Sequence, residues 1–370
     1  MRQGTVVQVG EAWAMPGEEA VVALDVPDNL RHLLEQQFER LSAAEQQVLE
    51  AASVAGSECA VAVVAAALNA AESTVDDVCA TLARREQFLE ASGEVRWPDG
   101  TQTACYRFRH SLYYDVLYHR IPLGRRRLLH QRIGTREEAG YGARAGERAA
   151  VLAGHFARGG DARRAVHYLR QAGDNALARS AHREAVACYE QALAAVAHLL
   201  DSRDTREQAI DLRLVLHNAL LPSGDFGRIL AYLREAEALA EALADSRRLG
   251  QVSRFLSAYF YYKGAYDQVI TSGERALTLA TAGGDAVQQM LAHQYLGMAY
   301  YTQGDYRRAI DYLRQTVGSL DGGPPHEHGW QLILPPVISR ALLVRCHAEL
   351  GRFAEGGVLG DEVLRIAEAG

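Results

Sequence analysis

Apolar positions in the second half of the chain repeat. Leu216, Leu256, Leu296 and Leu343 each stand eight residues before a glycine, and Ile229, Val269 and Ala309 stand five residues after the first three of those glycines. Each glycine opens a short signature: Gly224-Asp225-Phe226, Gly264-Ala265-Tyr266, Gly304-Asp305-Tyr306 and Gly351-Arg352-Phe353, with starts 40, 40 and 47 residues apart. An apolar stripe at helical spacing, ended by a glycine able to take positive φ and resumed after an aromatic, predicts a series of helical hairpins.

The stretch around Gly304 follows the tetratricopeptide pattern, with Leu296, Gly297 and Tyr300 on a first helix and Ala309 and Leu313 on a second. Leu152, Ala153, Phe156, Gly160-Asp161, Ala165, Leu169 and Ala172 show the same offsets earlier in the chain. Ser180 to Ala192 then supplies a further half-hairpin, closer than the usual repeat of about 34 residues allows. This section is expected to be a compressed lead-in to the solenoid. Asp321 to Trp330, rich in Gly, Pro and His, is expected to be a loop at one edge of the stack.

The first third of the chain patterns differently. Thr5–Val9 and Ala12–Met15 alternate around Gly10-Glu11 and predict a small hairpin. From Pro27 the period becomes helical through Leu30, Leu33, Leu34 and Phe38, and Ser42-Ala43-Ala44-Glu45 is a capping box opening a second helix that Gly56 closes. A short apolar helix over Ala60–Leu68 follows, then another from Ser73 with Val75, Val78, Cys79 and Leu82 on one face. Phe88–Trp97 and Thr103–Arg109, joined by Pro98-Asp99-Gly100, read as two strands. Helices followed by a hairpin is the order of a winged helix.

Charge tempers what such a module can do. The chain carries a net charge of -7, which offers no general attraction to nucleic acid or anionic lipid. The last helix before the wing presents Asp76, Asp77 and Glu86 against Arg84 and Arg85, without the positive excess that phosphates require. Arg125-Arg126-Arg127 is a second basic candidate, read chiefly as a solvated helix face, and Gly140, Gly142 and Gly146 as a looser connection after it. The five cysteines are scattered and never form a C-x-x-C pair, so neither zinc nor a disulfide framework is indicated and a cytoplasmic location is expected. The longest apolar run, Cys59–Leu68, is about half of the roughly 20 residues a membrane span needs.

Catalytic patterns are not evident. A P-loop requires G-x-x-x-x-G-K-[ST], and the only lysine, Lys263, precedes a repeat-turn glycine. His326-Glu327-His328 lacks the i, i+4 spacing of a helical zinc motif, His182-Arg183-Glu184 is an isolated cluster, and neither a nucleophile elbow nor a dinucleotide fingerprint follows a strand. The chain is expected to be no enzyme and to carry no metal and no cofactor.

Val26-Pro27, Leu41-Ser42, the run Val48 to Gly56, Phe108-Arg109-His110 and Leu117-Tyr118 together resemble the winged-helix arm of bacterial STAND-class signalling ATPases. These are AAA-related proteins, fused to nucleotide cyclases or DNA-binding domains, in which tetratricopeptide repeats follow the winged helix. The resemblance implies a sensor arm whose ATPase module lies upstream or in another chain. It also makes His110, flanked here by Arg109 and Ser111, a candidate for sensing nucleotide phosphates; the other reading of His110 is a capping or packing residue of the following helix.

The expected architecture is mainly α. A hairpin lead over 1–27 and a winged helix over 28–122 precede a helical connection with the first tetratricopeptide-like hairpins over 123–200. A right-handed α-solenoid of such hairpins then occupies 201–370. First helices of these repeats line the concave side, so counting back 13, 10, 6 and 3 residues from the later turn glycines gives Gln251, Arg254, Tyr261, Gln294, Met298, Tyr301 and Arg345 as partner-binding candidates. Tyrosine and arginine carry interface energy well, although these tyrosines also suit packing between helices. The solenoid end at Ile366–Gly370, which is not polar, is expected to meet a partner or a continuation. A protein-interaction and regulatory module binding a protein or peptide is the leading expectation, with an ATPase domain in trans as a further partner. A nucleotide-sensing arm of a split switch and a DNA-binding transcriptional regulator are the alternatives.

Overall fold

The computed structural model describes residues 7–9, 12–14, 28–318 and 334–369, and these are mainly helical. Two compact units divide the chain, Met1–Ala165 and Val166–Gly370. Asp321 to Trp330 lies outside the described residues.

In the first unit, β1 (Val7–Val9) and β2 (Ala12–Ala14) pair antiparallel, Val9 opposite Ala12. Helices α1 (Asp28–Glu39) and α2 (Ala43–Ala55) follow. The expected capping box opens α2: the Ser42 amide donates to Glu45 Oε2 at 2.8 Å and the Glu45 amide to Ser42 Oγ at 3.3 Å, satisfying N–H groups a helix start leaves unpaired. Strand β3 (Glu58–Ala60), α3 (Val61–Leu68), α4 (Glu72–Arg84), β4 (Leu89–Arg96) and β5 (Gln102–Phe108) complete an antiparallel sheet of order β3-β5-β4. Of its strands β3 is the one that the periodicity does not announce. Three residues are too few to show alternation, and Cys59 finds its partner Tyr106 only through tertiary pairing.

Helices α5 (Ser111–Arg120), α6 (Leu123–Tyr141) and α7 (Ala149–Gly159) follow. Phe38, Leu49, Val64, Leu82 and Leu89 form one core with Leu129 and Ile133 of α6. Burying such side chains contributes about 1.5–3 kcal/mol each, so α6 is held to the elements before it. The first compact unit runs to residue 165 and includes α6, whose Leu129 and Ile133 belong to this core. Gly140 is also no loose connector: it lies buried within α6. A Cβ there would collide with the Trp97 ring, while its carbonyl accepts from the Asp99 amide at 3.1 Å and Arg136 stacks over Trp97 at 4.5 Å.

The second unit takes α8 (Ala162–Ala178) from Val166 on, then α9 (His182–Val196), α10 (Arg203–Leu220), α11 (Phe226–Ala242), α12 (Ser246–Tyr262) and α13 (Tyr266–Ala282). It continues through α14 (Ala286–Thr302), α15 (Tyr306–Gly318), α16 (Leu334–Glu349) and α17 (Phe353–Ala369). All four signature glycines have left-handed φ, from 68° at Gly224 to 81° at Gly304, so each ends a first helix as the pattern requires. The stripe Leu216, Leu256, Leu296 and Leu343 is buried, as are Ile229, Val269 and Ala309. First helices pack on first helices of adjacent hairpins, α10 on α12, α12 on α14 and α14 on α16. That arrangement creates one face built from first helices. Phe353 departs from the pattern: it opens α17 but is 72% exposed, because no described element covers it.

Candidate functional site

On the first-helix face, α8, α10, α12 and α14 enclose a cavity of about 330 Å³. Its polar wall carries Arg247, Arg248, Gln251 and Arg254 from α12, with Gln288 from α14 and Arg170 from α8. Leu214, Val215 and Phe255 give it an apolar side, and Asp211 and Asn218 complete the α10 edge. Helical spacing explains the grouping. Asp211, Leu214 and Asn218 stand 13, 10 and 6 residues before Gly224, and Gln251 and Arg254 stand 13 and 10 before Gly264. Equal offsets place equivalent positions of neighbouring repeats side by side.

Two arginines in this wall have opposite circumstances. Arg248 donates to both Asp211 oxygens at 2.9 and 3.1 Å and also meets Asp245 at 2.9 Å and Glu207 at 3.0 Å. The hydrogen bond to Asp211 is the main reason its proton is held more tightly than in a free arginine. Arg254 instead donates Nε–H to the neutral Gln288 Oε1 at 2.9 Å and lies on the Phe255 ring at 3.8 Å. Burial pulls its pKa down. Among the described residues none of Arg170, Arg247 and Arg254 has an ion-pair partner within 4.0 Å. Beneath the wall, His217 is 3% exposed, stacks edge-on to Phe255 at 4.8 Å, and is pulled down to about 4 by burial.

A second cavity of about 310 Å³ shares Arg247 and Gln288 with the first and is floored by Gly250, Leu279 and Ala280. Asp285 also lines it, where its carboxylate accepts from the Gln288 amide at 3.0 Å and caps α14.

The structure thus brings Gln251 and Arg254 together and places the other sequence candidates elsewhere. Gln294 is buried and Met298 is half-buried on α14, and Arg345 is exposed on α16. Tyr261 meets Tyr266 at 6.1 Å and Tyr295 at 6.3 Å, and Tyr301 meets Tyr306 at 5.8 Å. Both tyrosines therefore fasten the turn ends of their hairpins. The α10 side of the cavity follows from the same count applied to Gly224, whereas Arg247, Arg248 and Gln288 belong to a turn further from the glycine. Arg170 has no such signal.

In the first unit, His110 is exposed and caps α5, its Nδ1 accepting from the Leu112 amide at 3.2 Å. Arg125 pairs with Glu50 at 3.0 Å and Arg126 lies over Tyr118 at 4.7 Å, so this basic run has intramolecular partners. On α4, Asp76 accepts from the Tyr106 hydroxyl at 2.9 Å, and Arg85 at its C-cap pairs with Glu45 at 2.8 Å. Among the described residues no cluster of three or more His, Cys, Asp or Glu is placed to hold a metal ion. None of their helices is long and apolar enough to cross a membrane.

No known family profile matches the chain. An uncharacterized protein of Rhizobium meliloti (strain 1021) is 29% identical over 299 residues, covering 78% of this chain and 28% of that protein. The chain thus spans little more than a quarter of the curated relative it matches. Among solved structures, BtubC (BKLC) from P. vanneervenii overlays with a TM-score of 0.51 at 16% identity, covering 64% of this chain and 91% of that one. A STAND protein with a tetratricopeptide repeat sensor from Pyrococcus horikoshii aligns with 90% of this chain and 52% of its own, at 13% identity and a TM-score of 0.43. The hairpins and the BtubC likeness define an architectural class, a mainly helical, tetratricopeptide-like repeat protein.

Proposed function

We propose that this chain is a non-catalytic protein-interaction and regulatory module that holds a protein or peptide on the first-helix face of its repeats. The observation that carries this reading is the cavity built by equivalent positions of α10 and α12, with Gln251 and Arg254 in its wall. Repeat scaffolds of stacked hairpins present such faces to extended ligands, because each repeat adds the same few side chains along a line. Order and pairing in the first unit, with helices, a short strand and a hairpin forming one small sheet, support a winged helix as the attached element. The resemblance of Val48–Gly56 and Phe108-Arg109-His110 to STAND arms supports a place in a signalling or transcription-control ATPase system.

The test is selection of binders from an unbiased displayed peptide library by the full chain, followed by affinities for variants. Gln251→Ala combined with Arg254→Gln should weaken selected peptides by about tenfold or more, the loss of one or two contacts that include a charge-assisted one. Tyr261→Ala with Tyr301→Ala should act through stability, visible as a lowered Tm. Peptides bound equally by the Gln251/Arg254 variant would remove the face from the proposal.

A further inference from the structure

We propose that the arginine-lined cavity of the second unit binds an acidic peptide segment, whose carboxylates meet Arg254 and Arg247. This rests on the groove reading above and names its ligand class. A guanidinium that is partly desolvated without a carboxylate costs stability, and it is offset when an anion arrives to complete it. Arg254 has such a place: Phe255 covers one face of its guanidinium and Gln288 accepts from its Nε–H. No described partner accepts from its two terminal nitrogens, which form the fork that a carboxylate fits.

Neighbouring Arg248 shows what saturation looks like on the same helix, with Asp211, Asp245 and Glu207 around it. These carboxylates are already committed to Arg248. Arg247 and Arg170 reach the same cavity exposed and without ion pairs among the described residues. Arg247 also sits in the first turn of α12, where the helix dipole favours an anion. Local positive character thus stands out within a chain of net charge -7.

Shape and charge together favour a peptide. Leu214, Val215 and Phe255 form an apolar side that an aliphatic stem would cover. The second cavity continues past Arg247 and Gln288, with Leu279 and Ala280 below and Asp285 at its edge. An anion is disfavoured beside Asp285, so the second cavity suits a neutral or apolar side chain of the same segment. A polyphosphate or nucleic-acid strand running through both cavities would bring its repeating charge past Asp211 in the first and against Asp285 in the second.

The test uses the full chain and two fluorescein-labelled nonapeptide pools read by anisotropy. One pool alternates Asp or Glu with Leu, Val or Ala, and its counterpart carries Asn or Gln at each acidic position. The acidic pool should bind saturably, more tightly as salt is lowered, and the amide pool about tenfold or more weaker. Arg254→Gln and the exposed Arg247→Gln should each weaken the acidic pool by about tenfold, and Tyr301→Ala, outside the cavity, should not. Circular dichroism separates a binding loss from unfolding, and Arg247→Gln supplies a readout that does not disturb a buried group.

Equal affinity for both pools, or arginine variants without effect, overturns the acidic-ligand proposal while the groove reading stands. Failure of both pools together with failure of the unbiased library overturns both. Displacement of the acidic pool by a single-stranded oligonucleotide at lower concentration than by unlabelled acidic peptide overturns the proposal in favour of nucleic acid.

Discussion

Acid should loosen the second unit through His217, and one substitution isolates the effect. Its imidazole is 3% exposed, its Nε2 is buried without a hydrogen-bond partner, and Arg254 lies close enough to disfavour a positive charge. Burial, the largest cause, lowers its pKa from 6.5 to about 4. The folded state therefore resists a proton that the unfolded chain accepts. Stability is complete above the unfolded value, declines as the pH falls from 6.5 towards about 4, and reaches its lower level beneath that. At pH 5 the loss is about 2 kcal/mol, from one group protonated in the unfolded state and mostly neutral in the folded one. His217→Phe keeps an aromatic ring beside Phe255 and removes the titration. Hydrogen exchange of α10 and α12 peptides, compared at pH 7 and pH 5 after correction for intrinsic rates, measures the difference directly. The variant should lose about 2 kcal/mol less protection than the wild type over that interval. Peptides from α6 and α7 give an internal control. There, burial also lowers the pKa values of His130 and His155, whose Nδ1 atoms lie 3.0 Å apart, and their acid sensitivity should persist. Identical pH dependence of α10 and α12 in wild type and variant would refute the assignment.

Further substitutions probe the packing and the Arg248 ion-pair cluster. At Gly297 a Cβ would stand 2.6 Å from Leu313 Cγ, so Gly297→Ala should cost about 1–3 kcal/mol. Adding Leu313→Ala should cost less than the sum of the single changes in a thermal-unfolding cycle, because the two sites share one space. Gly140→Ala should lower the unfolding temperature of the first unit through its collision with Trp97, whereas Gly124→Ala, with nothing within 4 Å of its Cβ, should not. Arg248→Met leaves Asp211, Asp245 and Glu207 facing one another, and should cost about 2 kcal/mol in urea unfolding, less in high salt.

Local pattern made the repeats legible because glycine, leucine and aromatic each answer to a short-range demand. Gly264 ends a helix, Leu256 lies on its buried stripe, and Tyr266 opens the next helix against Tyr261. Ser42 and Glu45 are similarly local. What escaped the pattern depends on distant partners: β3 exists because Glu58–Ala60 meets β5, and Gly140 looked like a loop signal although its missing side chain makes room for Trp97. Caps at Asp245 and Asp285, which start α12 and α14, are also local, yet the period drew attention to the other turn of each hairpin.

The candidate site was half legible for the same reason. Offsets from the turn glycine identify which residues face along the first helices, and they lead to the cavity wall that holds Gln251 and Arg254. They do not distinguish a side chain saturated by its neighbours from one left with donors to spare. Tyr261 and Arg254 meet the same periodic criterion, yet Tyr261 spends its ring on Tyr266 and Tyr295 while Arg254 makes its described contacts through Nε to Gln288 and through its face to Phe255. The distinction between Arg248 and Arg254 is sharper, since both lie on α12 and differ by six positions. Three carboxylates surround the first, Glu207 and Asp211 from α10 and Asp245 from the cap of α12, and no described carboxylate forms an ion pair with the second. Stability accounts for Arg248 without a ligand. It does not account for a partly desolvated Arg254 that, like Arg247 and Arg170 beside it, has no ion-pair partner among the described residues, and the proposed anionic ligand would supply the missing half of those interactions.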